Sequence, residues 1–155
     1  MKPFNKYQLE EELKKELHNR KQDYGKYIFY EDFVTIEYMA QFHWLYADWR
    51  GYQTEHSVMT GCEKMLQALK AYQCSKVLND NTNVVGIWTP ACAWVGGNWL
   101  SRMKDAGLEY FAWIYSPTTM NRVSTDESIR NTEVQDVVKT FEEIEAAKKW
   151  LMKGN

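Results

Sequence analysis

Apolar residues change their spacing along the chain, and each change marks an element. Between Lys6 and about Arg20, Leu9, Leu13 and Leu17 recur every fourth position with Glu and Lys between them, the stripe of an amphipathic helix. So thin a stripe does not hold a helix alone, so it docks on its own domain or on a partner chain. Period two follows. Val34, Ile36, Tyr38 and Ala40 alternate with Thr35 and Glu37, which predicts a strand with one buried face. Tyr27-Ile28-Phe29-Tyr30 either extends that strand or forms a separate short one. Residues 42–49 are apolar on both faces, as a central strand is, and pair with their predecessor in an antiparallel hairpin turning near Ala40-Gln41.

Beyond Thr54 the pattern alternates between helix and strand. Val58, Cys62, Met65, Leu66, Leu69 and Tyr72 lie at helical spacing. Ser75-Lys76-Val77-Leu78 predicts a short strand that runs into a polar loop, Asn79-Asp80-Asn81-Thr82-Asn83. Thr89-Pro90 is a cap followed by proline at the first helical position, opening a helix that Gly107 stops after Asp105. Gly96-Gly97 lies inside it, and each glycine costs about 1 kcal/mol against alanine. The pair therefore predicts a break or the close approach of another backbone. Tyr110-Phe111-Ala112-Trp113-Ile114-Tyr115 is a buried strand, and Ser116-Pro117 repeats the cap-plus-proline device before a helix through about Ser124. Val137-Val138-Lys139 is the last strand core. Thr140-Phe141-Glu142-Glu143 has the form of a capping box for a closing helix with Ile144, Ala147, Trp150 and Leu151 on its apolar face.

This order predicts an α/β domain: a mixed sheet, with an antiparallel hairpin followed by parallel βαβ crossovers, covered by helices. Residues 1–24 carry the extra N-terminal helix and residues 25–155 the domain, without repeats, low-complexity tracts or linkers.

Composition narrows the function classes. The 155 residues include 7 Trp, 10 Tyr and 6 Phe, an aromatic share of 15% that excludes a disordered chain. A net charge of -2 argues against nucleic acid or anionic lipid held by bulk charge. No uncharged run is long enough for a membrane span, and Met1-Lys2-Pro3-Phe4-Asn5-Lys6 leads into a charged helix instead of an apolar signal region. Cys62, Cys74 and Cys92 are an odd, scattered set, which predicts reduced thiols and a cytoplasmic location. His18, His43 and His56 do not fall at metal-ligand spacings, so neither a metal nor a cofactor is expected.

Catalytic chemistry has little to stand on. There is no nucleophile elbow, Gly-rich phosphate loop or zinc-protease helix motif. Asp48 and Asp80 sit near predicted strand ends, where a carboxylate pair serves either acid–base work or ordinary capping. Topology favours another surface, outside the carboxyl ends of the parallel strands. Two such ends are polar, Asn79 to Asn83 and Ser116-Pro117-Thr118-Thr119, and would line one crevice if their strands are neighbours, with Trp88 and Tyr115 as apolar walls. Trp44, Trp113 and Trp150 fall at core positions. Trp49, Trp88, Trp94 and Trp99 lie on or beside loops and the glycine-broken helix, where they pack in the core, wall a cavity or form a dimer patch.

Three stretches carry a family likeness: Trp49-Arg50-Gly51-Tyr52, the strand and polar string Lys76 to Asn83, and the ending Thr140 to Leu151. Over roughly residues 27 to 152 the chain resembles the SpoIIAA-like branch of the STAS superfamily, the anti-sigma-factor antagonist domains, and more distantly the CRAL-TRIO lipid carriers. The resemblance implies a non-enzymatic regulatory module that binds a protein partner. It also implies a phosphoacceptor at a helix N-terminus, for which Thr82 is the nearest position, although Asn83 follows it where the family has glycine. The contact surface expected from this is the 79–83 loop with the following helix. A carrier of a small apolar ligand or lipid in an aromatic-lined cavity is the alternative, and an enzyme of unknown reaction comes third; a homodimer is among the expected partners.

Overall fold

The computed structural model describes residues 6–20 and 26–153. Helix α1 (Lys6–Arg20) precedes strands β1 (Lys26–Glu31), β2 (Val34–Met39) and β3 (Trp44–Tyr52). The expected domain boundary at residues 24/25 and the charged start at residues 1–5 lie outside the described residues, as do the side chains of Leu17 and His18. Helix α2 (Glu55–Tyr72) leads to β4 (Lys76–Val85). A broken helix follows, made of a 3-10 turn at Thr89–Ala91, α3 (Cys92–Trp94), a π turn at Val95–Trp99 and α4 (Leu100–Asp105). Strand β5 (Tyr110–Ile114), α5 (Thr119–Arg130), β6 (Val138–Phe141) and α6 (Ile144–Lys153) complete the α/β fold.

The six strands lie in sequence order, β1 to β6. β1, β2 and β3 pair antiparallel, while β3, β4, β5 and β6 pair parallel. Because each parallel crossover steps the same way across the sheet, right-handed connections put α2, the broken helix and α5 on one face. That face holds the larger core, with Ile36, Leu45, Val77 and Phe111 packed under Met65, Leu69, Val95 and Met103. The opposite face is closed by α6, whose Ala147 and Leu151 pack on Trp44, Leu78, Ala112 and Ile114.

Local physics accounts for the elements. Thr54 caps α2: its side chain accepts from the Ser57 amide at 3.0 Å, and Ser57 Oγ accepts from the Thr54 amide at 2.9 Å. The hairpin turns at residues 40–43, and β3 is central, paired on both sides. The glycine pair acts as expected. A side chain at Gly96 would collide with the Ser128 carbonyl of α5, and the backbone answers with a π turn at that crossing.

Four local expectations are corrected. The string Asn79 to Asn83 is not a loop but the interior of β4, which is ten residues long. Its polar side chains are tolerated there because neighbouring strands supply partners, and a bulge gives β4 one extra residue between the pairs Asp48↔Asp80 and Arg50↔Asn83. Thr140 and Phe141 belong to β6, paired with Trp113 and Ile114, so no capping box forms and α6 begins at Ile144. Ser116 does not cap α5. Its hydroxyl donates to the Val84 carbonyl at 3.1 Å, and the helix starts at Thr119 and continues to Arg130. The residue before the 3-10 turn is Trp88, with Thr89 already inside it.

Candidate functional site

Strand alternation splits the polar string between two faces. Asn79 and Asn81 point to the larger core and are buried. Trp49 Nε1 donates to Asn79 Oδ1 at 2.9 Å, and Asn79 Nδ2 reaches Asn81 Oδ1 at 3.4 Å. Around these amides Trp49, Trp88, Trp99, Phe111 and Trp113 line a cavity of about 30 Å³. Trp88 and Trp113 stack with centroids 6.1 Å apart, and Trp99 Nε1 donates to the Cys62 carbonyl at 2.7 Å. Three of the four tryptophans singled out from their loop positions thus line one cavity and are buried, while Trp94 does not line it and packs half-buried against the larger core.

Asp80 and Thr82 face the other way. Tyr46 donates to Asp80 Oδ2 at 3.0 Å, and the Thr82 amide donates to Asp80 Oδ1 at 2.9 Å, joined there by the Thr82 hydroxyl. Asp48 is the register neighbour of Asp80, so the expected carboxylate pair does come together. Arg50 Nη1 donates to Asp48 Oδ2 at 3.1 Å, while Asp48 Oδ1 is buried without a partner. Burial lifts the Asp48 carboxyl above its usual range; the Arg50 guanidinium opposes the shift and the Asp80 charge adds to it. Burial also pushes the Tyr46 hydroxyl well up, reinforced by the charges of Asp80 and Asp48. Tyr46 carried no motif that marked it in the sequence, and Arg50 stood out only within the stretch Trp49-Arg50-Gly51-Tyr52. An open cleft of about 480 Å³ adjoins this cluster, between Asp80, Tyr115, Arg122 and Glu142.

β4 and β5 are neighbours, yet the single polar crevice expected between their ends divides in two. Trp88 lies in the first-face cavity and Tyr115 in the second-face cleft, so they do not wall the same space. Asn79, Asp80, Asn81 and Ser116 are buried, leaving Thr82, Asn83, Thr118 and Thr119 as the exposed polar candidates. Thr82 sits within a strand beside a carboxylate, not at a helix N-terminus, so the positive end of a helix dipole is not there to favour a phosphate.

The prominent exposed feature at this end is apolar, and it was missed. Tyr52 and Val85 are register partners closing β3 and β4; Ile87 follows Gly86, whose carbonyl accepts from Asn121 Nδ2 at 2.8 Å. The available signal was Val84-Val85-Gly86-Ile87, an apolar run directly after the polar string.

Among the described residues no cluster of three or more His, Cys, Asp or Glu converges as a metal site, and no helix is long and apolar enough to cross a membrane. No protein-family model matches the chain, and no curated protein sequence matches it either.

Proposed function

We propose that this chain is a non-enzymatic, cytoplasmic regulatory module of the STAS-like type that binds a partner protein at the carboxyl-terminal rim of β3 and β4. Supporting this reading is the rim itself: Tyr52 is 79% exposed, Ile87 44% and Val85 43%. Scattered apolar side chains are ordinary on a surface, but three at one strand end form a patch of the kind that partner proteins cover. All three are uncharged, so the partner contributes an apolar segment instead of a charged one. The contact surface moves accordingly from the buried 79–81 segment to its exposed continuation.

Affinity capture from the native cell, with mass spectrometry, tests the proposal. Tyr52→Ser combined with Val85→Thr and Ile87→Thr is expected to lose the specific partners that the wild-type chain retains. Met152→Thr, which alters an exposed methionine on α6 away from the rim, is expected to keep them. Equal recovery by all three proteins refutes the rim as a docking surface.

A further inference from the structure

We propose that α5 is a latch that undocks from the broken helix as a unit while the sheet stays folded, freeing the turn at residues 86–88 and baring Cys92. The first observation is what α5 buries. Asn121, Ser124, Thr125 and Ser128 form its inner face, each 0% exposed. Burying a polar group costs free energy unless it is hydrogen-bonded. Two of the four meet that condition incompletely or not at all: Asn121 Oδ1 and Thr125 Oγ1 have no hydrogen-bond partner among the described residues. The apolar side chains of α5 contribute little, because Met120 and Val123 are exposed and Ile129 packs only half-buried on the larger core. α2, by contrast, buries Val58, Met65, Leu66 and Leu69. Exposing that face costs hydrophobic free energy that exposing the α5 face does not.

The bonds that dock α5 are polar too. Ser124 Oγ accepts from the Trp88 amide at 3.0 Å, Asn121 Nδ2 donates to the Gly86 carbonyl at 2.8 Å, and the Cys92 thiol donates to the Ser124 carbonyl at 3.1 Å. Water replaces each of them on opening, so their net contribution is modest. The ion pair of Arg122 with Glu142 is open to solvent and adds little. Nor does the helix sustain itself once free. It has 12 residues, no side-chain cap at Thr118, and Asn, Ser, Thr or Asp at half of its positions.

Topology lets α5 leave alone. Residues 115–118 and 131–137 link it to β5 and β6, so undocking breaks no strand pairing. Cys92, 1% exposed, then loses its cover and its Ser124 acceptor. Gly86, which joins Val85 to Ile87 at φ 78°, loses the bond from Asn121. The state of α5 therefore controls how firmly that turn is held. The latch itself does not depend on a partner docking at the rim.

The test alkylates the full chain with iodoacetamide across sub-denaturing urea, read by mass spectrometry, alongside amide exchange followed by NMR. Cys62, 3% exposed and buried on α2, is the control thiol. Cys92 is expected to react at least about tenfold faster than Cys62, and with a shallow urea dependence because opening α5 exposes little surface. The amides of α5 and of Trp88 are expected to exchange through the same shallow opening, while those of Leu100 and Met103 follow global unfolding. Thr125→Val replaces the unpartnered hydroxyl by a methyl group and is expected to slow Cys92 alkylation about fivefold or more. Equal rates and equal urea slopes for the two thiols would mean that only global unfolding bares Cys92, which overturns the proposal. Exchange of Leu100 and Met103 together with α5 also overturns it, because the broken helix then opens as well. An unchanged Cys92 rate in folded Thr125→Val refutes the polar face as the cause, and the wild-type comparison decides should that variant fail to fold. No partner protein takes part, so each result is independent of the capture experiment.

Discussion

The indole nitrogen of Trp49 donates to Oδ1 of Asn79 at 2.9 Å, tying β3 to β4 within the larger core. Both side chains are buried, so neither finds water if the other is removed. Asn79→Leu is expected to lower stability by about 1–3 kcal/mol, because it strands the indole N–H in an apolar wall. Trp49→Phe removes the donor but also leaves unfilled volume. The double variant should therefore be less damaging than the sum of the two single changes, by about 1 kcal/mol or more. Urea denaturation of the four proteins measures this coupling, and strict additivity would show that the bond contributes nothing specific.

At the crossing of the broken helix with α5, two adjacent glycines have different surroundings. A Cβ at Gly96 collides with the Ser128 carbonyl, whereas one at Gly97 meets only the Asn131 carbonyl at 3.7 Å. Gly96→Ala must separate the two helices and is expected to cost at least 2 kcal/mol. Gly97→Ala sits at ordinary contact distance and is expected to be neutral, or to stabilise by up to about 1 kcal/mol through lower freedom of the unfolded chain. Thermal unfolding separates the cases. Equal effects would mean that the π turn, not the contact with α5, sets the requirement for glycine.

How far such features were legible follows from the range of the forces involved. Period two in β2, helical spacing in α2 and the glycine pair are local signals, and each appears in the sequence at the right place. The polar string does not announce its strand, because Asn79 and Asp80 are acceptable inside a sheet only where Trp49 and Tyr46 meet them from β3. Those partners lie about thirty residues earlier in the chain. For the same reason Thr140 resembles a cap residue when read alone, yet it is claimed by pairing with Trp113. The four loop tryptophans were marked by composition, and three of them meet in one cavity. The exposed rim was hidden because Tyr52 and Val85 come from two strands that only their register brings together.

Asp48 supplies a pH dependence whose sign can be worked out. Its carboxyl is held above the ordinary value of 3.8, first by burial and further by Asp80, with Arg50 opposing. A folded-state pKa above the unfolded one means that the fold favours the protonated form. The associated stability is complete below about 3.8 and is lost as pH rises through the higher folded-state value. Asp48→Asn keeps the shape without the ionisation. Its urea midpoint is expected to match that of the wild type near pH 3 and to exceed it increasingly toward pH 7. A variant less stable than wild type at pH 7 would show that the Arg50 ion pair outweighs the burial of the carboxylate.

The last relationship concerns how the C-terminal helix is held. Lys76 at the start of β4 is buried along its stem, lies over the Tyr110 ring at 5.7 Å, and its Nζ donates to the Leu151 carbonyl of α6 at 2.6 Å. A cation at this position satisfies a terminal carbonyl and complements the negative end of the helix dipole. Burial lowers the Lys76 pKa, since the charged form is the one that loses hydration. Lys76→Met preserves the apolar stem and removes only the charged head, which separates packing from capping. The expected loss is about 1–2 kcal/mol in global stability, with faster amide exchange confined to the last turn of α6. If exchange in that turn is unchanged, Leu151 packing on Leu78 and Ala112 anchors the helix without the lysine. If exchange instead rises along all of α6, Lys76 controls docking of the whole helix on the second face.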